Sequence, residues 1–540
     1  MKKILLVGLS LLMACPTFAK IKLPALVGSN MVLQREREVN LWGEASPSKK
    51  VTVTTSWDGR KYATQSDSDG KWLLKVSTPA AGGPYTIRIS DGDPVTLENV
   101  MIGEVWVCSG QSNMQMPVEG LPGQPTEGAN EAMLRSRLYR DVRLFGVPRT
   151  ASAEPRDSCG GAWSVSSSQS VASFSAAGYF FGCGLHDALG VPVGLIEADW
   201  GGTRIETWMT ASAACRVDPQ ILETDAAFDD YNKTSFLFNA MIYPLRRLTA
   251  RGFIWYQGES NIDTGNYPLY ARFMEEMVAE WRSLWGDSSM SFYYVQLAPE
   301  HYRDVNDIVL PLMVEQQLAA MDRIPNCGMI STTDVGHAVA VHPAPKREIG
   351  ERLALWALSR TYGLKGLVVQ SPRYESVRFG NGEAVVRFRT DGTLGPVYGG
   401  RIEGFEIAGA DRVFVPAEAE YLPGGCEVVV RSVRVPEPVA VRYAFRNVPR
   451  AATLTNTGGL PAYPFRTDNW NDVKYGGRAC NGRNDRAVSV ALLRFMRQVL
   501  ACVPPFCGRM RKIAGQGRSL DRETLVESRT FLSGSILAAV

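Results

Sequence analysis

The segment 104–114, EVWVCSGQSNM, constrains the fold of this chain more than any other. Its apolar residues 105–107 predict a short buried strand, and Gly110 permits a sharp turn before a helix. The turn places Ser112 where its hydroxyl can project from the carboxyl edge of a parallel sheet, the edge at which open α/β folds collect polar groups. Asn113 can fix the loop through side-chain hydrogen bonds. The segment predicts a strand–turn–helix unit with Ser112 as a candidate nucleophile.

The pattern around this unit predicts three folded regions. The chain has 540 residues, more than one hydrophobic core usually serves. Residues 20–99 alternate between polar and apolar side chains and contain Asp-Gly turns, which predicts a small β-sandwich. Residues 100–365 alternate strands with helices, and residues 366–475 return to alternating strands. We expect a three-layer α/β domain, with a mostly parallel sheet and helices on both faces, between two small β-domains.

The elements of the middle region are predicted from apolar runs and helical periodicity. The buried strands are expected at residues 105–108, 193–198, 252–255, 292–296 and 328–332. The main helices are expected at residues 173–189, 267–285 and 346–362.

The two ends of the chain do not resemble the folded regions. Lys2 and Lys3 precede an apolar run and small residues near Ala19, which predicts a secretory signal peptide over residues 1–19 and export to the periplasm or beyond. A rival interpretation makes Cys15 the acylated residue of a lipoprotein. No later segment has the length and apolarity of a membrane span. Residues 476–540 are arginine-rich and atypical. A disordered extension or a change of reading frame would explain them, and we assign them no chemistry.

Composition excludes several classes of function. The formal net charge is +3 and no basic, aromatic-rich stripe precedes residue 476, so nucleic acid is not an expected partner. The cysteines after the signal are scattered without Cys-x-x-Cys spacing, and the chain has four histidines. We therefore expect no metal site and no cofactor. The sequence leaves disulfide pairing and oligomeric state open.

Polar loops after the other strands supply partners for Ser112. Gly201 and Gly202 follow one strand, and adjacent glycines can aim a backbone N–H into a crevice, as an oxyanion hole requires. A serine also needs a base that accepts its proton near neutral pH, for which histidine has the right pKa. His337 and His342 are the contenders. His186 lies within a predicted helix, and His301 lies in a loop with no special context.

Four of these blocks stand in the order found in one known family: SGQSNM (109–114), WGGT (200–203), WYQGESN (255–261) and HPAPK (342–346). Together they resemble the sialate O-acetylesterase family of the SGNH/GDSL hydrolase superfamily, and the resemblance extends over residues 22–475. It implies an α/β esterase domain without a metal. The implied activity is removal of acetyl groups from carbohydrates such as O-acetylated sialic acids.

The resemblance also implies roles for single residues. Ser112 is the nucleophile and His342 the general base. The oxyanion hole comprises the Ser112 N–H, an N–H from Gly201 or Gly202, and the side-chain amide of Gln257. The alternative for Gln257 is a hydrogen bond that only ties its loop.

Further polar residues of the same blocks are weaker candidates. Asn261 is a lesser candidate for the oxyanion hole or for substrate contact. Arg204, Glu206 and Glu259 are expected to brace the site by pairing with one another, with contact between Arg204 and substrate as the alternative.

The chain departs from the family at the histidine. Relatives commonly carry an acidic or amide residue just before His-Pro, whereas residues 339–341 here are Val-Ala-Val. Asp334 could reach His342 from the end of the preceding strand, or a backbone carbonyl could hold the imidazole. Asp334 and His337 also reproduce the Asp-x-x-His spacing of the wider superfamily. We favour His342 because Pro343 and Lys346 accompany it, and the third member of the triad stays open.

The sequence predicts an exported serine esterase acting on O-acetylated carbohydrate. Acetylated xylan or another polysaccharide is the close alternative substrate. The alternative from another class is a carbohydrate-binding protein that has lost its catalytic site.

Overall fold

The computed structural model describes residues 21–302, 304–422, 425–449, 451–471 and 474–475. The predicted signal peptide, Cys15 and the tail 476–540 lie outside them. The fold is mixed α/β, with a large mixed sheet and several small antiparallel sheets. Within the described residues, no helix combines the length and apolar character needed to cross a bilayer.

Strands dominate the first region, as its alternating pattern predicted. They are β1 (Val32–Gln34), β2 (Glu38–Glu44), β3 (Lys50–Thr55), β4 (Lys61–Gln65), β5 (Lys71–Ser77) and β6 (Gly82–Ser90). β2 pairs with β5, while β3 pairs with β4 and β6. The next strand, β7 (Pro94–Gly110), begins beside β6 and continues into the large sheet. One strand therefore joins the first region to the second.

The second region alternates strands with helices. Its remaining strands are β8 (Val142–Gly146), β9 (Trp163–Val165), β10 (Val193–Asp199), β11 (Gly252–Tyr256), β12 (Ser291–Val295) and β13 (Cys327–Ile330). Their order is β13-β12-β11-β7-β10-β8-β9, and every pair in it is parallel except β8 with β9. The five buried strands predicted for this region are confirmed to within two residues at their ends, except that the first belongs to the longer strand β7.

Nine α-helices lie among the described residues of this region. They are α1 (Ser112–Gln115), α2 (Ala129–Arg135), α3 (Ser168–Ala172), α4 (Ala176–Leu189), α5 (Ala211–Val217), α6 (Glu259–Asp263), α7 (Tyr270–Trp285), α8 (Val309–Arg323) and α9 (Lys346–Trp356). The three predicted helices correspond to α4, α7 and α9. α4 begins three residues later than expected because the Ser175 side chain caps it, accepting from the Gly178 N–H.

The third region is again built from strands. They are β14 (Arg373–Gly380), β15 (Glu383–Arg389), β16 (Leu394–Pro396), β17 (Phe405–Ala408), β18 (Val413–Pro416), β19 (Glu418–Tyr421), β20 (Glu427–Arg431), β21 (Ala440–Tyr443), β22 (Leu454–Asn456), β23 (Phe465–Arg466) and β24 (Lys474–Tyr475). They form sheets of four, two and five strands. This agrees with the strand-only pattern of residues 366–475.

The hydrophobic cores follow these regions only in part. One cluster of buried side chains includes residues of the first region, such as Val53 and Ile89, together with Trp106 and Phe253 of the large sheet. A second cluster lies wholly in the third region, between Ala384 and Phe465. The first region thus shares its core with the large sheet, and the third has its own. The six described cysteines, which are Cys108, Cys159, Cys183, Cys215, Cys327 and Cys426, are free thiols.

Candidate active site

Three loops that carry predicted site residues begin side by side at the carboxyl edge of the large sheet. Gly110 at the end of β7 is in register with Asp199 at the end of β10 and with Tyr256 at the end of β11. Gly110 has a φ of +142°, and a Cβ there would lie 2.2 Å from the Tyr256 carbonyl oxygen. Only glycine tolerates both the positive φ and the close approach, so this turn requires it.

Ser112 is the first residue of α1 and is half-buried. The preceding residue, Gln111, fixes the turn from both its backbone and its side chain. Its backbone N–H donates to the Tyr256 carbonyl at 2.9 Å, and its Oε1 accepts from the backbone N–H groups of Gly258 at 3.2 Å and Ser260 at 3.3 Å. The serine turn and the loop after β11 are therefore held as one piece.

Gly201 approaches Ser112 closely. A Cβ on Gly201 would lie 3.1 Å from the Ser112 Cβ, tighter than most real contacts of this kind, so a side chain there would crowd the serine. The Gly201 N–H donates to Oε1 of Gln115 at 2.6 Å, and Gln115 is the last residue of α1. The structure thus brings Gly201 beside Ser112, with its N–H directed at a side-chain oxygen.

Gln257 and Asn261 are fully buried and bonded to other protein groups. The Gln257 amide nitrogen donates to the Thr203 carbonyl at 2.9 Å and to Oδ1 of Asn261 at 2.8 Å. The Asn261 amide nitrogen donates to Glu206 at 3.0 Å, and its Oδ1 also accepts from the Ile205 N–H. An amide nitrogen has two hydrogens, and both of those on Gln257 are occupied. The geometry therefore corresponds to the loop-tying alternative for Gln257, and it gives Asn261 the same role.

Arg204 does not pair with Glu206 or Glu259, contrary to expectation. It is buried and forms an ion pair with Asp225, while its Nε donates to the Asn232 carbonyl at 2.8 Å. Glu206 accepts from Asn261 and Asn266, and Glu259 accepts from Asn113. Arg204 thus anchors the segment 225–232 over the glycine loop. A buried guanidinium needs a nearby carboxylate, and Asp225 supplies it from a segment to which the sequence assigned no role.

The imidazole of His342 has one bonded nitrogen and one unbonded nitrogen. Its Nδ1 lies 2.6 Å from Oε1 of Gln124. Its Nε2 is buried and has no hydrogen-bond partner among the residues that the structure describes. Burial and, to a smaller extent, the nearby charge of Lys346 together lower the pKa of His342 to about 4. At neutral pH the ring is therefore neutral and can accept a proton.

Asp334 and His337 lie away from this imidazole contact. The Asp334 carboxylate forms a bidentate ion pair with Arg352, at 2.8 Å and 2.6 Å. His337 is exposed, and its Nδ1 accepts from the Val339 N–H at 3.3 Å. Asp334, one of the two groups left open for orienting His342, is held instead by a cation on α9, and the side chain on the imidazole is that of Gln124.

Asn113 connects the serine segment to the histidine segment. Its amide nitrogen donates to the Val341 carbonyl at 2.9 Å and to Oε1 of Glu259 at 2.5 Å. Its Oδ1 accepts from Nζ of Lys346 at 2.5 Å. Since Asn113 follows Ser112 and Val341 precedes His342, one side chain holds the two segments against each other.

Comparisons with known proteins identify the family to which these segments belong. Residues 102–359 match the carbohydrate esterase family of sialic acid-specific acetylesterases. The chain is 31% identical over 391 residues to the sialate O-acetylesterase of Pongo abelii, an alignment that covers 65% of this chain and 73% of that protein. It is 28% identical over 518 residues to the sialate O-acetylesterase of Mus musculus, covering 81% of this chain and 93% of that protein.

A solved structure gives the same result. The crystal structure of a carbohydrate acetylesterase from Xanthomonas citri superposes with a TM-score of 0.76 and 35% identity, covering 84% of this chain and 100% of that one. The chain belongs to the sialate O-acetylesterase family. As a member of this family it is a carboxylic-ester hydrolase, which confirms the resemblance drawn from the four blocks.

The site of this family member contains unusual buried charges. Lys346 is fully buried, and burial lowers its pKa to about 7, although the charge of Glu259 opposes the change. Burial raises the pKa of Glu259, against the hydrogen bond from Asn113. Ionisable groups with displaced pKa values concentrate at functional sites. No group of three or more His, Cys, Asp or Glu side chains suited to a metal ion occurs among the described residues.

Four residues that lie at this site had no role assigned from the sequence. Gln124 lies in a short Pro- and Gly-rich loop, and Gln115 follows the recognised motif by one residue. Trp200 and Tyr231 stack with ring centroids 5.2 Å apart and planes inclined by 16°, next to Gly201. Trp200 in the WGGT block was the visible signal, because a half-buried tryptophan in a polar loop that follows a strand is a candidate for ligand contact.

Proposed function

We propose that the chain is an exported carbohydrate O-acetylesterase in which Ser112 is the nucleophile and His342 is the general base. The observation that carries the proposal is that Asn113 donates to the Val341 carbonyl and accepts from Nζ of Lys346, which holds the Ser112 and His342 segments together. The unbonded Nε2 of His342 adds to it, because a base must have a free lone pair. Family membership supports the reaction class.

The reaction then proceeds in two halves. The Ser112 Oγ bonds to the acetyl carbon as its proton passes to Nε2 of His342, and the carbonyl oxygen takes the negative charge. The bond from the acetyl carbon to the sugar oxygen breaks, and the imidazolium returns its proton to that oxygen. Water then attacks the acetyl-Ser112 ester while Nε2 takes its proton. Release of acetate returns the proton to Oγ.

The negative oxygen of each tetrahedral intermediate needs hydrogen-bond donors. We assign these to the backbone N–H groups of Ser112 and Gly201, with Gly202 as the alternative for the second donor. The Gly201 N–H donates to Gln115 in this structure. Substrate must therefore displace the side-chain oxygen Oε1 of Gln115, which is a weaker acceptor than an oxyanion. Gln257 contributes indirectly, by holding the Thr203 carbonyl and so the glycine loop.

The substrate class comes from the relatives and from the aromatic pair. The curated relatives are sialate O-acetylesterases, and the solved structure is of a carbohydrate acetylesterase. The stacked rings of Trp200 and Tyr231 offer an apolar surface for one face of a sugar ring. We propose O-acetylated sialic acids as the first substrate class and acetylated xylan as the alternative. Arg204 and Asn261 are buried and bonded to other protein groups, so we assign them to holding the site loops and not to direct contact with the sugar.

Acetate release from a panel of soluble substrates tests the proposal. The panel contains O-acetylated sialic acids, acetylated xylo-oligosaccharides and p-nitrophenyl acetate. We expect wild-type protein to release acetate and Ser112→Ala to lose on the order of a million-fold in kcat. Ser212→Ala, at an exposed serine of α5, is the matched control and keeps full activity. Activity of Ser112→Ala within about ten-fold of wild type would refute the nucleophile, since a lost triad serine costs far more. No acetate from any substrate would favour the carbohydrate-binding alternative.

The same proposal includes the layout of the chain. Trp106 on β7 contacts Phe181 of α4, and Phe253 on β11 contacts Trp281 of α7, each pair with centroids 5.1 Å apart. The register aligns Gly252 with Trp106, so Trp106 and Phe253 point to opposite faces of the sheet. This supports an esterase domain of three layers over residues 100–365, between β-domains at 20–99 and 366–475. Export through residues 1–19 remains the expectation for the leader.

A further inference from the structure

The hydrogen bond on Nδ1 of His342 determines which nitrogen can act as the base. The partner is Oε1 of Gln124 at 2.6 Å. A carbonyl oxygen only accepts, so Nδ1 must carry the hydrogen, and the lone pair of the neutral ring lies on Nε2. We propose that Gln124 is the positioning residue of His342, so that the site operates as a Ser112–His342–Gln124 arrangement with a neutral third member. This inference rests on the proposed esterase function and names a residue that acts through the base.

The loop around Gln124 is built to present this side chain. Gln124 and Leu121 exchange two backbone hydrogen bonds of 2.8 Å, which close a tight turn. The Thr126 hydroxyl donates to the Pro117 carbonyl at 2.9 Å. The Glu127 N–H donates to the Ala344 carbonyl at 2.9 Å, which ties the turn directly to the segment of His342. The side chain of Gln124 therefore reaches the imidazole from a braced loop.

The charged groups around His342 do not replace Gln124. Lys346 on α9 lies close enough for its charge to lower the pKa of the imidazole. Glu259 on α6 bonds to Asn113, and Asp334 is paired with Arg352. The carboxylates on the Gln124 loop itself, Glu119 and Glu127, are exposed.

A neutral partner has a specific chemical consequence. An amide oxygen that accepts from the Nδ1–H selects the same tautomer as a carboxylate does, but it gives no charge stabilisation to the imidazolium formed during the reaction. The base therefore stays deprotonated to low pH, and the ascending acid limb of kcat/KM is expected near pH 4, where the imidazole becomes protonated. The pKa is lowered, so activity is present above this pH and is lost as the pH falls through it.

Two substitutions at Gln124 separate positioning from packing. Gln124→Ala removes the acceptor, and we expect kcat for acetate release to fall on the order of ten-fold or more with KM nearly unchanged. Gln124→Glu keeps the acceptor and adds a negative charge, which favours the imidazolium. We expect it to raise the pKa of His342, and with it the acid limb, by about one to three pH units. Gln65→Glu, the same change at an exposed position on β4, should leave the pKa of His342 and the acid limb of kcat/KM unchanged.

The readouts are the pH profile of kcat/KM and an NMR titration of the His342 ring, assigned with His342→Ala. An unchanged imidazole pKa in Gln124→Glu overturns the proposal whatever happens to kcat, because a residue that only packs the loop also affects kcat. Full kcat in Gln124→Ala overturns it as well. The ring titration does not depend on ester hydrolysis, so it still reports on Gln124 if wild-type protein proves inactive in acetate release, an outcome that refutes the proposed function alone.

Discussion

Two buried carboxylates near β7 differ in their hydrogen bonding: Glu104, in the middle of the strand, is fully bonded, and Glu259, beside its end, is not. Glu104, within β7, has a fully buried side chain and accepts from Gln34 at 2.9 Å, Arg35 at 2.5 Å, Arg251 at 3.0 Å and the Tyr362 hydroxyl at 2.9 Å. Burial acts to raise the pKa of this carboxyl, but the hydrogen bonds and the charge of Arg251 outweigh burial and lower it. Every requirement of the buried carboxylate is met.

Glu259, beside the end of the same strand, lacks this compensation. One of its oxygens accepts from the Asn113 amide, and the other, Oε2, has no partner among the described residues. Its pKa is raised by burial, while that of Lys346 is lowered to about 7. Nε2 of His342 and the Tyr256 hydroxyl, also at this end of the sheet, likewise lack a hydrogen-bond partner in the described part of the chain. Equal burial thus produces a structural carboxylate in one place and incompletely bonded groups in the other, and the displaced pKa values of the second place are typical of functional sites.

The largest expected effect tests whether His342 belongs to this reactive end. His342→Ala should lower kcat nearly as far as Ser112→Ala, on the order of a million-fold, because the two residues act as one unit. The double variant should be no worse than either single one. His337→Ala is the matched control: its ring is exposed and accepts only a backbone N–H, so kcat should stay within about three-fold.

Steady-state kinetics on one soluble acetyl ester compares the wild type with the two single variants, the double variant and His337→Ala. An inactive His337→Ala beside an active His342→Ala would transfer the role of base to His337. The unbonded Nε2 of His342 would then no longer support His342 as the general base.

The next prediction compares the two buried carboxylates: substitution of Glu104 should mainly lower stability, and substitution of Glu259 should mainly lower kcat. Glu104→Gln leaves Arg35 and Arg251 without their counter-charge and should cost about 3–5 kcal/mol of stability, while kcat per folded molecule changes little. Glu259→Gln should cost little stability, because burial penalises the charged form of this carboxyl and raises its pKa, and a neutral amide avoids that penalty. It should lower kcat several-fold, since Asn113 loses a charged acceptor.

Chemical unfolding midpoints and kcat, measured on both variants, check this prediction. The sign with pH adds a second check. The lowered pKa of Glu104 contributes stability above the ordinary carboxyl pKa, and that stability is lost as the pH falls through the lower folded value. Glu104→Gln should therefore be less sensitive to acid than wild type. Equal losses of stability in the two variants would contradict the distinction between the regions.

The strands and the serine turn could be predicted because their signals are local. The apolar run before Ser112 and the glycine at position 110 specify a strand and a turn, and both are found. The partners of Gln257, Arg204 and Asp334 could not be predicted in this way. Arg204 pairs with Asp225 in a segment without helical or strand periodicity, and Arg352 approaches Asp334 only because α9 packs beside β13.

The contact between Gln124 and His342 is the clearest example of what the sequence could not predict. Gln124 lies 218 residues from His342 in a loop of sequence LPGQP, and no residue-type rule selects a neutral amide there. Reasoning by analogy with the serine triad favoured a carboxylate at the imidazole. In the folded chain, Asp334 pairs with Arg352, and the neutral side chain of Gln124 contacts His342. Both pairings depend on the tertiary structure and not on local sequence.

The smallest expected effect concerns Asp334. Its carboxylate is bidentate with Arg352, and about a third of its side chain is exposed at 36%, so solvent screens the pair. Asp334→Asn should cost about 1 kcal/mol of stability and leave kcat within about three-fold. Arg352→Gln removes the same pair from the other side, and a matching stability loss at full kcat would assign Asp334 to the supporting structure. If Asp334 instead oriented the imidazole, Asp334→Asn should lower kcat by up to about ten-thousand-fold at neutral pH while Arg352→Gln left it intact. A loss of that size would displace Gln124 from the third position, and a small one leaves the neutral amide as the group that holds His342.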